Sequence, residues 1–133
     1  MAANGANGDG RDLRQLYELV LRAQRQAIAQ VRPGVKTGAV DAAARNTLAD
    51  GGYTEYFTHS TGHGLGMAVH EGPFLRPNSE LVLQPGMVIT VEPGIYLPGW
   101  GGIRIEDDVL VTPDGCELLT SVPRDFDAQW LDF

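Results

Sequence analysis

The chain has 133 residues, 43% of them hydrophobic and 20% charged, which is enough for one domain with its own core and no disulfides. A formal net charge of -7 argues against nucleic acid and anionic membrane surfaces as partners. No apolar run approaches the roughly 20 residues that span a bilayer, Met1 to Arg11 lacks the apolar stretch of a secretory signal, and the one cysteine, Cys116, fits a reducing, cytoplasmic location.

Residues 1–10 are rich in Ala, Asn and Gly and read as a flexible lead-in, with a single domain over 11–133. Asp12 is placed to cap a helix. Behind it Leu13, Leu16, Tyr17, Val20, Ala23, Ala27, Ile28 and Val31 recur at three-to-four spacing, with Arg14, Arg22, Arg25 and Arg32 on the other side. Pro33-Gly34 stops this helix. Thr37 reads as the N-cap of a second helix, running to about Asp50 with Val40, Ala44 and Leu48 inward, and Gly51-Gly52 ends it.

After Tyr53 the pattern changes to strands and tight turns. Met87 to Val91 is a short apolar run bounded by Pro-Gly pairs. From Gly102 to Val111 alternation is nearly strict and predicts one strand: Ile103, Ile105, Asp107, Val109 and Val111 on one face, Arg104, Glu106, Asp108 and Leu110 on the other. Pro113-Asp114-Gly115 is a turn, and Cys116 to Leu119 the returning strand. Two helices followed by several strands place the chain in the α+β class, helices packed on a mainly antiparallel sheet.

The residues that carry chemistry cluster. All three histidines, His59, His63 and His70, lie within twelve residues, and glycines flank His63, which argues against the helix that a His-x-x-x-His zinc pair requires. Glu92 closes an apolar strand, where a carboxylate needs a partner, a metal or water. Arg104, Glu106 and Asp108 share a strand face that is either a solvated exterior or a cavity floor that holds cations. One imidazole with two carboxylates suits Mn, Co, Fe or Zn. Cys116 is a small core residue rather than a nucleophile.

Three segments, HSTGHGLGMAVHEGP (59–73), LQPGMVITVEPGIYLPG (83–99) and GGIRIEDDVLVTPDGCELLT (101–120), resemble the signature of the aminopeptidase P and prolidase family, in order and at its spacing. The segment LRQLYELVLRAQRQAIAQVRPGV (13–35) resembles the helix ahead of that signature. The resemblance implies the C-terminal half of a pita-bread fold and a dinuclear metal site. Carried over by position, His63, Glu92 and Glu106 would be metal ligands, with Glu106 bridging two divalent ions: Mn first, with Co, Zn or Fe as alternatives. His59 and His70 would line the substrate pocket, Glu92 would also move the proton in catalysis, and Tyr96 and Arg104 would orient the ligands. The implied activity is metal-assisted hydrolysis of the bond before proline, in a peptide with proline at its second position.

The family's other two ligands are aspartates on a hairpin ahead of the first helix, beside a Thr-Arg-Thr stretch with no counterpart here. The chain is therefore expected to hold metal weakly and hydrolyse Xaa-Pro peptides poorly alone, and to self-associate or take a partner that supplies the N-terminal half. The alternative is a non-catalytic pita-bread module that binds peptides or proteins.

Overall fold

The computed structural model describes residues 11–129; the proposed lead-in at 1–10 and residues 130–133 lie outside them. Two helices come first, α1 over Leu13–Gln30 and α2 over Thr37–Asp50. Asp12 caps α1 as expected, its carboxylate accepting the Arg14 N–H at 2.9 Å. Arg14, Arg22, Arg25 and Arg32 are all exposed. The buried face of α1 is wider than the single stripe, since Leu19, Leu21 and Gln24 are buried with Leu16, Val20, Ala23 and Ala27. The helix is covered from two sides, by α2 and by the strands. Ala23 and Ala27 on α1 and Ala44 on α2 are completely buried, and their small size suits close helix packing.

Thr37 does not cap α2. It is the first helical residue, Lys36 is the N-cap, and the Thr37 hydroxyl donates instead to the Ser79 hydroxyl at 2.7 Å. The Thr37 amide donates to the Leu81 carbonyl at 2.7 Å, so the incoming loop satisfies the helix start.

Seven strands follow: β1 (Gly62–Gly64), β2 (Glu71–Leu75), β3 (Val88–Val91), β4 (Gly94–Leu97), β5 (Gly101–Arg104), β6 (Asp107–Thr112) and β7 (Gly115–Leu118). Five form an antiparallel sheet in the order β2-β1-β3-β6-β7, and β4 and β5 form a separate two-stranded ribbon. Ile89, Thr90 and Val91 are all buried, so β3 is covered on both faces. Each large aliphatic side chain so buried stabilises the fold by about 1.5–3 kcal/mol.

The single strand expected over 102–111 is two strands in two sheets. Its alternation is as read: Ile103, Ile105, Asp107, Val109 and Val111 are buried, while Arg104 and Glu106 are exposed and Asp108 and Leu110 half-buried. The partner changes, however. β5 pairs with β4, β6 pairs with β3, and the ladder lapses at Ile105-Glu106 opposite Glu92-Pro93. The Ile105 N–H donates to the Pro93 carbonyl at 3.4 Å, but Pro93 has no N–H to return. The register is the same on both sides of the lapse, Val91 opposite Asp107 and Gly94 opposite Arg104. Glu92 therefore lies opposite Glu106.

Glycines bring β1 close to its neighbours. A Cβ on Gly62 would collide with the Thr90 carbonyl of β3, and one on Gly64 with the Gly72 carbonyl of β2. Gly62→Ala is expected to destabilise the chain by roughly 1–3 kcal/mol. Gly115→Ala, where an added Cβ finds only the Thr112 hydroxyl at 3.9 Å, should stay within about 0.5 kcal/mol of wild type. Urea unfolding of both variants checks this.

Candidate functional site

His63 sits mid-strand on β1, and pairing with β2 shifts register between His63 and Gly64, an irregularity of the kind that re-aims a side chain. Its backbone N–H donates to the Thr90 hydroxyl at 3.0 Å. Its Nδ1 lies 2.9 Å from the Gly64 carbonyl, which can only accept. Nδ1 therefore carries the proton, and in the neutral ring Nε2 presents its lone pair. That Nε2 faces Glu92 Oε2 at 3.6 Å.

Glu92 follows the end of β3 and is fixed by its backbone, whose N–H donates to the Thr61 carbonyl at 2.7 Å. Glu106 precedes β6. Its carboxyl is held above the ordinary 4.5 by burial first, then by the charge of Glu92 and a hydrogen bond to it; Arg104 acts in the opposite sense and Asp108 in the same one. The Arg104 guanidinium approaches Glu106 only at 4.0 Å, the outer limit of an ion pair. Its stronger partner is Tyr96. The hydrogen bond to that phenol, helped by the charges of Glu92 and Glu106, holds Arg104 more firmly protonated.

Tyr96 lies 2.7 Å from His59 Nε2, while His59 Nδ1 lies 2.7 Å from the Ser60 carbonyl. By the same reasoning His59 donates from Nδ1 and accepts the phenol proton at Nε2. His70, on an exposed stretch, stacks edge-on against His63 with ring centroids 4.6 Å apart. The seven residues singled out in the sequence thus form one unbroken line of contacts: His59, Tyr96, Arg104, Glu106, Glu92, His63, His70. His63 approaches Glu92, and Glu92 approaches Glu106. They are linked in pairs through Glu92. Among the described residues, no group of three or more His, Cys, Asp or Glu side chains is gathered into a ready-made metal cage.

The donor set nevertheless fits a divalent cation. In the neutral ring His63 Nε2 is an acceptor like Glu92 Oε2, and the two stand 3.6 Å apart, just beyond hydrogen-bond distance. Glu92 and Glu106 are like charges directly opposite each other, a destabilising arrangement unless a proton or a cation lies between them. Oxygen and imidazole ligands without thiolate suit a hard or borderline ion. Cys116 plays no part: it is half-buried against the core, its weak contact is to the Ile28 carbonyl at 3.8 Å, and burial pushes its thiol up.

The residues that hold this arrangement were missed in the sequence. Asp41 and Arg45 on α2 grip the segment ahead of β1, and Thr61 and Thr90 receive the contacts described above. The available signal was an aspartate beside the apolar stripe of α2 with an arginine four residues on.

A two-helix layer over a mainly antiparallel sheet, with these residues at the junction of sheet and ribbon, is the architecture of the C-terminal half of a pita-bread metallopeptidase. Residues 1–113 match metallopeptidase family M24, and the chain belongs to that family. Among curated relatives, the Xaa-Pro dipeptidase of Pyrococcus horikoshii is 49% identical over 112 residues, covering 84% of this chain and 32% of that protein. Among solved structures, the dipeptidase PepE from Mycobacterium ulcerans superposes with a TM-score of 0.83 at 50% identity, covering 85% of this chain and 30% of the other. The prolidase from Pyrococcus horikoshii gives 0.83 at 47% identity, with coverages of 90% and 33%. The chain thus spans about a third of the length of the curated relatives it matches.

The folded chain holds the Glu106 proton more tightly than the unfolded chain does. Its contribution to stability is therefore complete below the ordinary value of 4.5 and is lost as pH rises through the raised folded value. In chelator-treated protein, stability should fall over the window just above pH 4.5. Glu106→Gln should flatten that fall and be the more stable form at neutral pH. Denaturant unfolding across about pH 4 to 8 measures both slopes.

Proposed function

We propose that this chain carries the His63, Glu92 and Glu106 part of a divalent-metal site in a peptidase that hydrolyses Xaa-Pro bonds. The observation that carries the reading is the pairing of Glu92 with Glu106 across the antiparallel register, with the His63 lone pair turned toward the same carboxylate. Family membership supports a metallopeptidase, and the relatives named Xaa-Pro dipeptidase support proline after the scissile bond. Two ions are proposed, Mn first, with Co, Zn or Fe as alternatives, which His63, Glu92 and Glu106 would hold.

When bound, such ions activate water for attack on the peptide carbonyl and stabilise the negative charge that develops there. The chain's own residues do the rest. In the neutral ring His63 presents a lone pair at Nε2, because Nδ1–H donates to the Gly64 carbonyl. Glu92 would accept a proton from the attacking water and return it to the departing proline nitrogen. His59 is held by Tyr96, itself held by Arg104, so this line fixes one wall of the substrate path. His70, exposed beside His63, would meet the peptide near its scissile bond.

Calorimetric titration with MnCl2 tests the metal site. Wild type is expected to bind, and His63→Ala, Glu92→Gln and Glu106→Gln each to weaken binding at least about tenfold. Equal uptake by wild type and the triple variant, or none by wild type, would sink the proposal. Three protein groups shared by two ions leave coordination positions open, so this chain alone should release little proline from Ala-Pro. A longer protein that contains this segment together with the family's aspartate pair should cleave Ala-Pro and spare Ala-Ala.

A further inference from the structure

We infer that Asp41 and Arg45 on α2 are a positioning pair that sets where His59 and Glu92 stand, an inference that rests on the site reading above. The 57–61 segment lies between a 3-10 turn at Thr54–Tyr56 and the start of β1, and it carries His59. Side chains from α2 take much of the role a ladder would have there. Arg45 Nη1 donates to the Phe57 carbonyl at 3.2 Å and Nη2 to the His59 carbonyl at 3.0 Å. The guanidinium also lies 4.2 Å over the Phe57 ring.

Asp41 completes the clasp. Arg45 Nε and Nη2 grip its two oxygens at 2.9 and 3.0 Å. Its Oδ1 further accepts the Thr61 N–H at 3.2 Å and the Thr61 hydroxyl at 2.9 Å. The Thr61 carbonyl in turn receives the Glu92 N–H at 2.7 Å. One buried carboxylate thus connects to the backbone of Glu92 through a single residue, and its arginine partner holds the residue that bears the His59 ring.

Packing does not call for this pair. Val40, Ala44 and Leu48 are completely buried and attach α2 to the core. A buried ion pair adds little net stability over apolar side chains of the same volume. What the pair supplies is direction: an acceptor for Thr61 and two donors for otherwise unladdered carbonyls. Arginine suits this because its rigid fork presents donors to the carboxylate and both carbonyls at once. A lysine ammonium is a single point with three donors.

The test compares Arg45→Lys and the isosteric Asp41→Asn with Leu48→Val, which loosens the same helix without touching the clasp. The full chain is treated with chelator, and two quantities are read: amide exchange at Glu92 and the imidazole nitrogen resonances of His59. Both clasp variants should retain wild-type circular dichroism, exchange the Glu92 amide about tenfold faster and shift the His59 signals. Leu48→Val should raise exchange along α2 and leave His59 in place. In the MnCl2 titration, Arg45→Lys should weaken binding about tenfold.

Unchanged Glu92 exchange and His59 signals in both clasp variants would overturn the inference, as would equal displacement of His59 by Leu48→Val. The exchange and ring readouts need no metal. A wild-type chain that takes up no Mn therefore defeats the metal reading alone, while unmoved His59 with wild-type Mn affinity in Arg45→Lys defeats the clasp alone.

Discussion

Two carboxylates face each other across an antiparallel register, and much of the second half of the chain is arranged around that unfavourable contact. Like charges directly opposite in a ladder are destabilising. Here they occur where the ladder lapses, between the five-stranded sheet and the two-stranded ribbon, because Pro93 cannot donate. The strands on both sides are anchored by Ile89, Val91, Ile95 and Val109, all completely buried. Those contacts set Glu92 opposite Glu106, and the hydrogen bond between the two carboxyls requires a proton on one of them. A local rule broken while its surroundings obey the rules marks a functional site more reliably than any one residue does.

The same physics separates what the sequence disclosed from what it did not. Helical stripes and the alternation from Ile103 to Val111 are local properties, written in consecutive side chains, and the burial pattern follows them. The change of sheet at Ile105-Glu106 is not local. It follows from Pro93, twelve residues earlier on the opposing strand, and alternation passes through it undisturbed. β1 was hidden for a different reason: three buried residues, two of them glycines packed against other backbones, carry no period at all. Thr37 was misread as a cap because its hydroxyl has a competitor, Ser79, forty-two residues away.

The site was legible to a different degree. Residue chemistry alone left the Arg104, Glu106 and Asp108 face open between a solvated exterior and a cation-holding floor. In the structure Arg104 and Glu106 keep 54% and 43% of their side chains exposed, and Glu106 also meets Glu92. It was the resemblance to a known family that joined His63, Glu92 and Glu106 into one set. The contacts through Tyr96 to His59 required the fold, because no spacing rule relates residue 96 to residue 59.

Carboxylates in this chain divide by how completely they are matched. Asp107 is 1% exposed and answered on every side, by Gln24 at 2.7 Å, Thr120 at 2.5 Å and Arg124 at 3.1 Å. Asp41 is equally buried and equally answered by Arg45 and Thr61. Glu106 precedes Asp107 in the chain and, by the two-residue period of the strand, points the opposite way. There it meets another carboxylate and a guanidinium at the limit of reach. Buried acids that are fully partnered stabilise one geometry and have no free valence for a ligand. An acid whose nearest neighbour is a second acid is matched only when a proton or a cation lies between them, and burial with the charge of Glu92 raises the Glu106 carboxyl in keeping with that. The strand's alternation thus turns two adjacent acidic residues to opposite sides, and the fully matched aspartate anchors the strand that Glu106 precedes.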